Sequence, residues 1–189
     1  MRPQFLGDSY DLVKRSLIAA LADLGPWSVH PMFTEDVSSH EAELFAALVG
    51  VPLVSTAKLS VSSDRKAYLS SCLAARNLFL DPDTGIRVEP IRSKRAPEYV
   101  FGPELAWLAE ARRDCLTMVY DQSLPRGAEN EHLSGKVAYF GRQGFSAFAY
   151  HSHASFVILS SSHELVTLAR QAFHATLKIP EFRLYVGAV

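Results

Sequence analysis

Cysteine is scarce in this chain: Cys72 and Cys115 are the two among 189 residues. Two thiols make no disulfide framework, which sets aside the small cystine-stapled secreted class and points to a reducing compartment. Both are expected to be buried as small apolar groups. Long hydrophobic runs are missing as well. No stretch approaches the roughly 20 apolar residues that span a bilayer, and Met1 to Asp8 holds no apolar core of signal-peptide length. The expectation is a cytoplasmic protein with no membrane partner. Neither sign of charge is in excess, since 19 Lys and Arg against 20 Asp and Glu give a net charge of −1. That argues against coating nucleic acid by charge alone, while leaving room for a local basic groove. The glycine signatures that cradle phosphates, G-x-G-x-x-G and G-x-x-x-x-G-K-[ST], are absent. So is the G-x-S-x-G nucleophile elbow. Classical dinucleotide enzymes, P-loop NTPases and serine hydrolases of that type are disfavoured together.

What is present is ordinary globular composition, 48% hydrophobic and 21% charged. The length fits a single α/β domain over residues 1–189, one that buries about 70% of its unfolded surface without a staple. Leu12, Val13, Leu17, Leu21 and Leu24 recur at helical spacing behind Asp8 or Ser9, and Gly25-Pro26 stops that helix. Trp27 to His30 reads as a short strand closed by Pro31. Ser38 with Glu41 is a capping-box pattern for a helix to about Val49. Val51 to Thr56 is strand-like, and a third helix starts at Ser63 or Asp64. Two continuous apolar runs, Asn77 to Leu80 and Leu116 to Tyr120, read as strands buried on both faces. Each is followed by an acid, Asp81 and Asp121. Helices are expected over Pro103–Ala111, Glu129–Gln143 and from Ser162 or His163 to about Leu177. Ser146–His151 and Ser155–Ser160 are too close for a crossover and must pair as an antiparallel hairpin. Phe182 to Val186 suits an edge strand. This alternation predicts a Rossmann-like, doubly wound, mostly parallel sheet with a C-terminal antiparallel hairpin.

In such sheets ligands bind outside the carboxyl ends of the strands, where Asp81 and Asp121 fall. Asp83 follows two residues after Asp81, and two carboxylates on such a turn can share Mg²⁺ or Mn²⁺, hard cations that take oxygen ligands and keep waters for a substrate phosphate. Gly85, with Thr84 beside it, lets the backbone approach a bound cofactor. The same five residues, Asp81 to Gly85, also make an ordinary turn. Asp8, Asp11 and Lys14 share one stripe of the first helix, so Asp8 can add a metal ligand and Lys14 can meet a phosphate. Acids at a helix start are equally explained by the helix dipole. Arg126 can clamp a phosphate from the loop after Asp121. His151 and His153 have a spacing that can ligate zinc, but the sequence offers no evident third ligand, so a metal-free pair is expected. Arg92, Lys94 and Arg95, with Arg112 and Arg113, form a basic cluster able to meet a phosphate backbone or simply to solvate the loop. Residues 86–98 are the one stretch long and irregular enough for a lid.

The runs Gly7 to Lys14, Leu78 to Ile86 and Val119 to Gln122 resemble a little-characterised bacterial family with an Asp-Pro-Asp-Asn/Thr-Gly motif. The resemblance spans most of the chain and implies no settled activity. A more distant likeness is to Rossmann-like methyltransferases with an Asp-Pro-Pro motif after the fourth strand. It implies S-adenosylmethionine as cofactor, with Asp81 and Pro82 positioning a target amine. Two departures stand out. His30 to Glu35 lacks glycines for wrapping that cofactor, and Asp83 replaces the second proline.

Three functions follow as expectations. The first is a metal-dependent phosphoester or phosphodiester hydrolase acting on a nucleotide or nucleic acid. There Asp81 and Asp83 hold the ion, Asp121 or Asp8 assists, and Lys14 and Arg126 neutralise phosphate. The second is the methyltransferase. The third is a non-catalytic binding module on the same fold.

Overall fold

Asp8 starts the first helix by accepting the backbone N–H groups of Tyr10 and Asp11 on its Oδ1, at 2.9 and 3.3 Å. The computed structural model describes residue 4 and residues 6–186, and within it helix α1 runs Ser9–Ala20. The expected extension to Leu24 becomes a separate 3₁₀ turn, Ala22–Leu24, before Gly25-Pro26 leads into strand β1, Trp27–His30. The Ser38–Glu41 capping box forms and opens α2, Ser39–Val49. Residues 51–56 do not make a strand. Val29 donates to the carbonyl of Pro52 and Val54 donates back to Val29, which gives one isolated bridge between Val29 and Leu53. Pro52 has no N–H with which to extend the ladder. Asp64 caps α3, Arg65–Ser70, and a 3₁₀ turn carries the chain to β2, Asn77–Leu80.

The connection after β2 is more ordered than its composition suggests. Gly85–Arg87 (β3) and Tyr99–Phe101 (β4) pair in parallel as a small second sheet. Helix α4 follows at Gly102–Ala111, then β5 at Thr117–Tyr120. Helix α5, Glu129–Arg142, leads to the hairpin of β6, Ser146–His151, and β7, Ser155–Ser160. Helix α6 spans His163–Leu177 and β8 Leu184–Val186.

The main sheet is mixed, in the order β1-β2-β5-β7-β6-β8. β1, β2 and β5 pair in parallel. β7 then inserts antiparallel between β5 and β6, and β8 pairs antiparallel with β6. The expected hairpin is there, but it occupies the interior of the sheet instead of adding an antiparallel edge. The parallel run therefore stops after three strands, and the expected parallel majority of pairings is not reached. The cause is the three residues between β6 and β7, which permit a turn and no crossover.

Both faces are covered. α1, α2 and α6 bury Leu17, Phe45, Phe173 and their neighbours on one side, against Phe79, Met118, Phe156 and Ile158. α3, α4 and α5 bury Leu69, Leu105, Val137 and Phe140 on the other, against Leu78, Leu80, Val119 and Val157. Strand alternation divides these sets, so residues one apart face opposite layers. Among the described residues no helix is long and apolar enough to cross a membrane. Of the two cysteines, Cys72 is buried as expected and Cys115 is only partly so.

Candidate functional site at the carboxyl edge

β1, β2 and β5 end together, and the residues just past them are Pro31, Asp81 and Asp121. β2 and β5 pair with Leu80 opposite Val119, so Asp81 lies level with Tyr120 and Asp121 stands one residue further. That offset turns the two carboxylates to opposite faces of the sheet. Each meets a different helix. The sequence places both acids at the same edge, and the structure does so too, but it does not bring them into one site.

On the α1 face the Lys14 ammonium sits 2.9 Å from Asp81 Oδ2 and 3.0 Å from Asp11 Oδ1, with all three side chains almost fully buried. Asp11 Oδ2 accepts the Gly7 N–H at 2.8 Å. Lys14 Nζ also lies 4.8 Å from the centre of the Tyr120 ring. Burial works against the Lys14 charge, and the Asp81 and Asp11 carboxylates outweigh it, holding Lys14 above the usual lysine range. One ammonium shared by two carboxylates leaves a net negative group. Burial pushes the Asp81 carboxyl up, with Lys14 opposing.

On the α5 face Asp121 is a hub. Its Oδ1 accepts the N–H of Ile86 at 3.0 Å and of Ser123 at 3.1 Å, and lies 2.7 Å from the Ser123 hydroxyl. Its Oδ2 takes a charge-assisted bond from Lys136, whose ammonium also reaches Ser123 Oγ at 2.8 Å. Gly85, at φ 133°, fits directly over this carboxylate. A Cβ there would stand 2.2 Å from Asp121 Oδ1 and 2.9 Å from Asp121 Cα. The glycine thus serves close approach to Asp121. Thr84 continues the seam, donating from N to the Glu98 carbonyl at 2.8 Å and accepting from the Gln122 N–H at 2.9 Å. Its hydroxyl bonds Glu98 Oε2.

Beside this hub opens a cleft of about 830 Å³. Ile86, Arg87, Val88, Glu89 and Tyr99 line one side, and Ser123, Leu124 and Pro125 a second. Glu131, His132, Gly135 and Lys136 of α5 form the third. Of the stretch expected as a lid, residues 86–98, Ile86 to Glu89 line the cleft.

The remaining candidates are dispersed. Asp8 caps α1. Asp83 is half-buried on the turn, where its charge acts on Arg95. Arg126 is exposed, outside the cleft lining. His151 bonds Ser155 Oγ through Nδ1 at 2.8 Å, while His153 lies against the Tyr10 ring, so the pair is split. The basic cluster is split too: Arg95 bonds Glu98, Arg113 bonds Glu110, and Arg112 is buried among backbone carbonyls.

The geometry does not suit a Mg²⁺ or Mn²⁺ shared by Asp81, Asp83 and Asp8. A lysine ammonium, itself a counter-charge, already holds Asp81 Oδ2, and Asp8 Oδ1 is given to the helix start. Among the described residues no three His, Cys, Asp or Glu come together as metal ligands.

Lys136 and Ser123 are the residues that sequence reasoning missed. Lys136 does carry a signal. It lies on the apolar stripe Leu133, Val137 and Phe140, at helical spacings, where a lysine must find an anion to be buried. Lys14, between Val13 and Leu17, is the same case. Comparison of the chain with family models, with curated proteins and with solved structures returns no match.

Proposed function

We propose that the protein binds a nucleotide-class ligand, with a planar base, a ribose and a phosphate end, in the cleft beside β5. The observation that carries this reading is the mixture of groups around one open volume. Ile86, Val88, Leu124 and Pro125 offer apolar contact for a base. Arg87 and Lys136 supply positive charge for phosphate. Glu89 and Glu131 supply acceptors for ribose hydroxyls. Among the described residues Lys136 gives two hydrogen bonds, leaving one of its three ammonium donors for an anion. The position agrees with the general rule that open α/β sheets bind ligands beyond the carboxyl ends of their strands. In this reading the fold is a Rossmann-like doubly wound sheet, shortened on its parallel side and completed by the inserted hairpin.

Asp81 is a structural partner of Lys14 here and takes no step in chemistry. Phosphoester hydrolysis with Asp81 and Asp83 on Mg²⁺ or Mn²⁺ would set a divalent ion beside a carboxylate whose Oδ2 already holds the buried Lys14 ammonium, and the two cations repel. A methyltransferase reading draws on the late inserted hairpin and on helices covering both faces. Against it, Asp81 is turned to Lys14 and is not offered to a target amine.

The test is isothermal titration of ATP, AMP and S-adenosylmethionine, each with and without Mg²⁺. ATP is expected to bind without Mg²⁺, and Arg87→Ala to weaken it about tenfold, the loss of one charge-assisted contact. Flat nucleotide titrations to millimolar concentration reject the reading. Binding of S-adenosylmethionine alone replaces it with the methyltransferase. Binding that needs Mg²⁺ and vanishes in Asp81→Asn replaces it with the hydrolase.

A further inference from the structure

Three walls of the cleft come from distant parts of the chain: β3, the loop after β5, and α5. One side chain touches all three. Asp121 Oδ1 holds the Ile86 N–H at 3.0 Å and the Ser123 N–H at 3.1 Å, and Oδ2 holds Lys136. The Ser123 hydroxyl closes the ring, 2.7 Å from the Ile86 carbonyl and 2.8 Å from Lys136 Nζ. Gly85 has no Cβ to keep β3 away from this carboxylate. We infer that Asp121 is the positioning residue of the cleft, setting the spacing of its walls and aiming Lys136, while itself staying out of contact with ligand.

Asp121 is fully buried, and it is absent from the cleft lining that includes its three partners. The small β3–β4 sheet has no ladder to the main sheet. Its polar contacts beside β5 are those of Asp121 and Ser123 and the Thr84–Gln122 bond, while Ile86 and Val100 pack in the core layer that holds Val119. Removing the acceptor should free β3 and the β5–α5 loop while leaving the main sheet unchanged. The inference rests on the cleft being the ligand site, but its first test needs no ligand.

The test compares two double variants of the full chain, Asp121→Asn/Lys136→Met and Asp121→Ala/Lys136→Met. Neither buries a lone charge, and they differ in the acceptor at Oδ1. Amide exchange by NMR is expected to be about tenfold faster at Ile86 and Ser123 in the alanine form, with Phe79 and Val157 alike in both. Equal rates at Ile86 and Ser123 overturn the inference. If the alanine form does not fold, Asp121→Leu/Lys136→Met, which has about the volume of the asparagine form and no acceptor, is read in its place. Faster exchange at Ile86 than in the asparagine form supports the inference, and an equal rate overturns it. ATP added to wild type separates the two readings. Slower exchange at Ile86 and Ser123 supports both. If ATP has no effect but the variants differ, the nucleotide reading fails and the positioning role stands.

Discussion

Lys14 stands between two carboxylates in a place where water hardly reaches, and removing it alone differs from removing it together with Asp81. Lys14→Met leaves Asp11 and Asp81 facing each other, buried, with no counter-charge. Breaking a buried ion group from one side typically costs about 3–5 kcal/mol. Adding Asp81→Asn to Lys14→Met removes the repulsion that the first change exposes. The double variant is expected to regain at least about 2 kcal/mol over the single one. Urea denaturation of wild type, single and double variants measures this from the midpoints. A double variant as unstable as Lys14→Met shows that the loss comes from packing against Tyr120 and not from charge. The titration of Lys14 carries a second consequence. Its folded pKa is raised, so its stabilisation is complete below about pH 10.5, the ordinary lysine value, and is lost as pH rises through the higher folded value.

At the scale of elements, the buried cation between strands is Arg112, beyond the last turn of α4. Its guanidinium donates to the carbonyls of Ala75, Arg76 and Leu116 and to the Thr117 hydroxyl. It therefore ties the entry of β2 to the entry of β5. Lysine cannot reproduce this fork, because it is a single point charge with three donors at one nitrogen. Arg112→Lys is expected to cost about 2–4 kcal/mol, the price of several unsatisfied buried carbonyls. Thermal unfolding by circular dichroism gives the shift. A loss under about 0.5 kcal/mol, the surface range, rejects the role. Arg112 also shows what a sequence conceals. Beside Arg113 it reads as half of a basic patch. Only the fold reveals that one of the pair faces solvent and the other backbone carbonyls. Elements with strong local signals were legible: the Asp8 and Ser38 caps, the apolar run 77–80, and the hairpin forced by three intervening residues. β3 and β4 were not, since a three-residue pair lacks periodicity; its surroundings are long-range, with Asp121 accepting the Ile86 N–H and the Glu98 carbonyl accepting the Thr84 N–H just before β3. For the site, sequence placed both acids at the correct edge. It could not show that a one-residue offset turns them apart, nor that Lys136 on another helix would meet the second.

At the scale of the molecule, one contribution to stability against acid comes from His30 at the end of β1. The ring is fully buried beside Tyr68, and its Nδ1 accepts the Met32 N–H at 3.2 Å. The neutral ring then carries its proton on Nε2, which has no hydrogen-bond partner among the described residues. Burial pushes His30 down to about 4 from 6.5. The unfolded chain takes up a proton near pH 6.5 that the folded chain refuses until about pH 4. The group's contribution is therefore complete above pH 6.5 and is lost as pH falls between these values. From pH 7 to pH 5 this amounts to about 2 kcal/mol at 1.36 kcal/mol per unit. His30→Phe keeps a ring in contact with Tyr68 and removes the titration, at the cost of the Met32 bond. It should be less stable than wild type at pH 7, while losing about 2 kcal/mol less than wild type on going to pH 5. Urea midpoints at pH 7, 6 and 5 for both proteins give the two slopes. Parallel slopes would mean that His30 titrates alike in the folded and unfolded chains, and that the acid limit of this fold is set by its carboxylates instead.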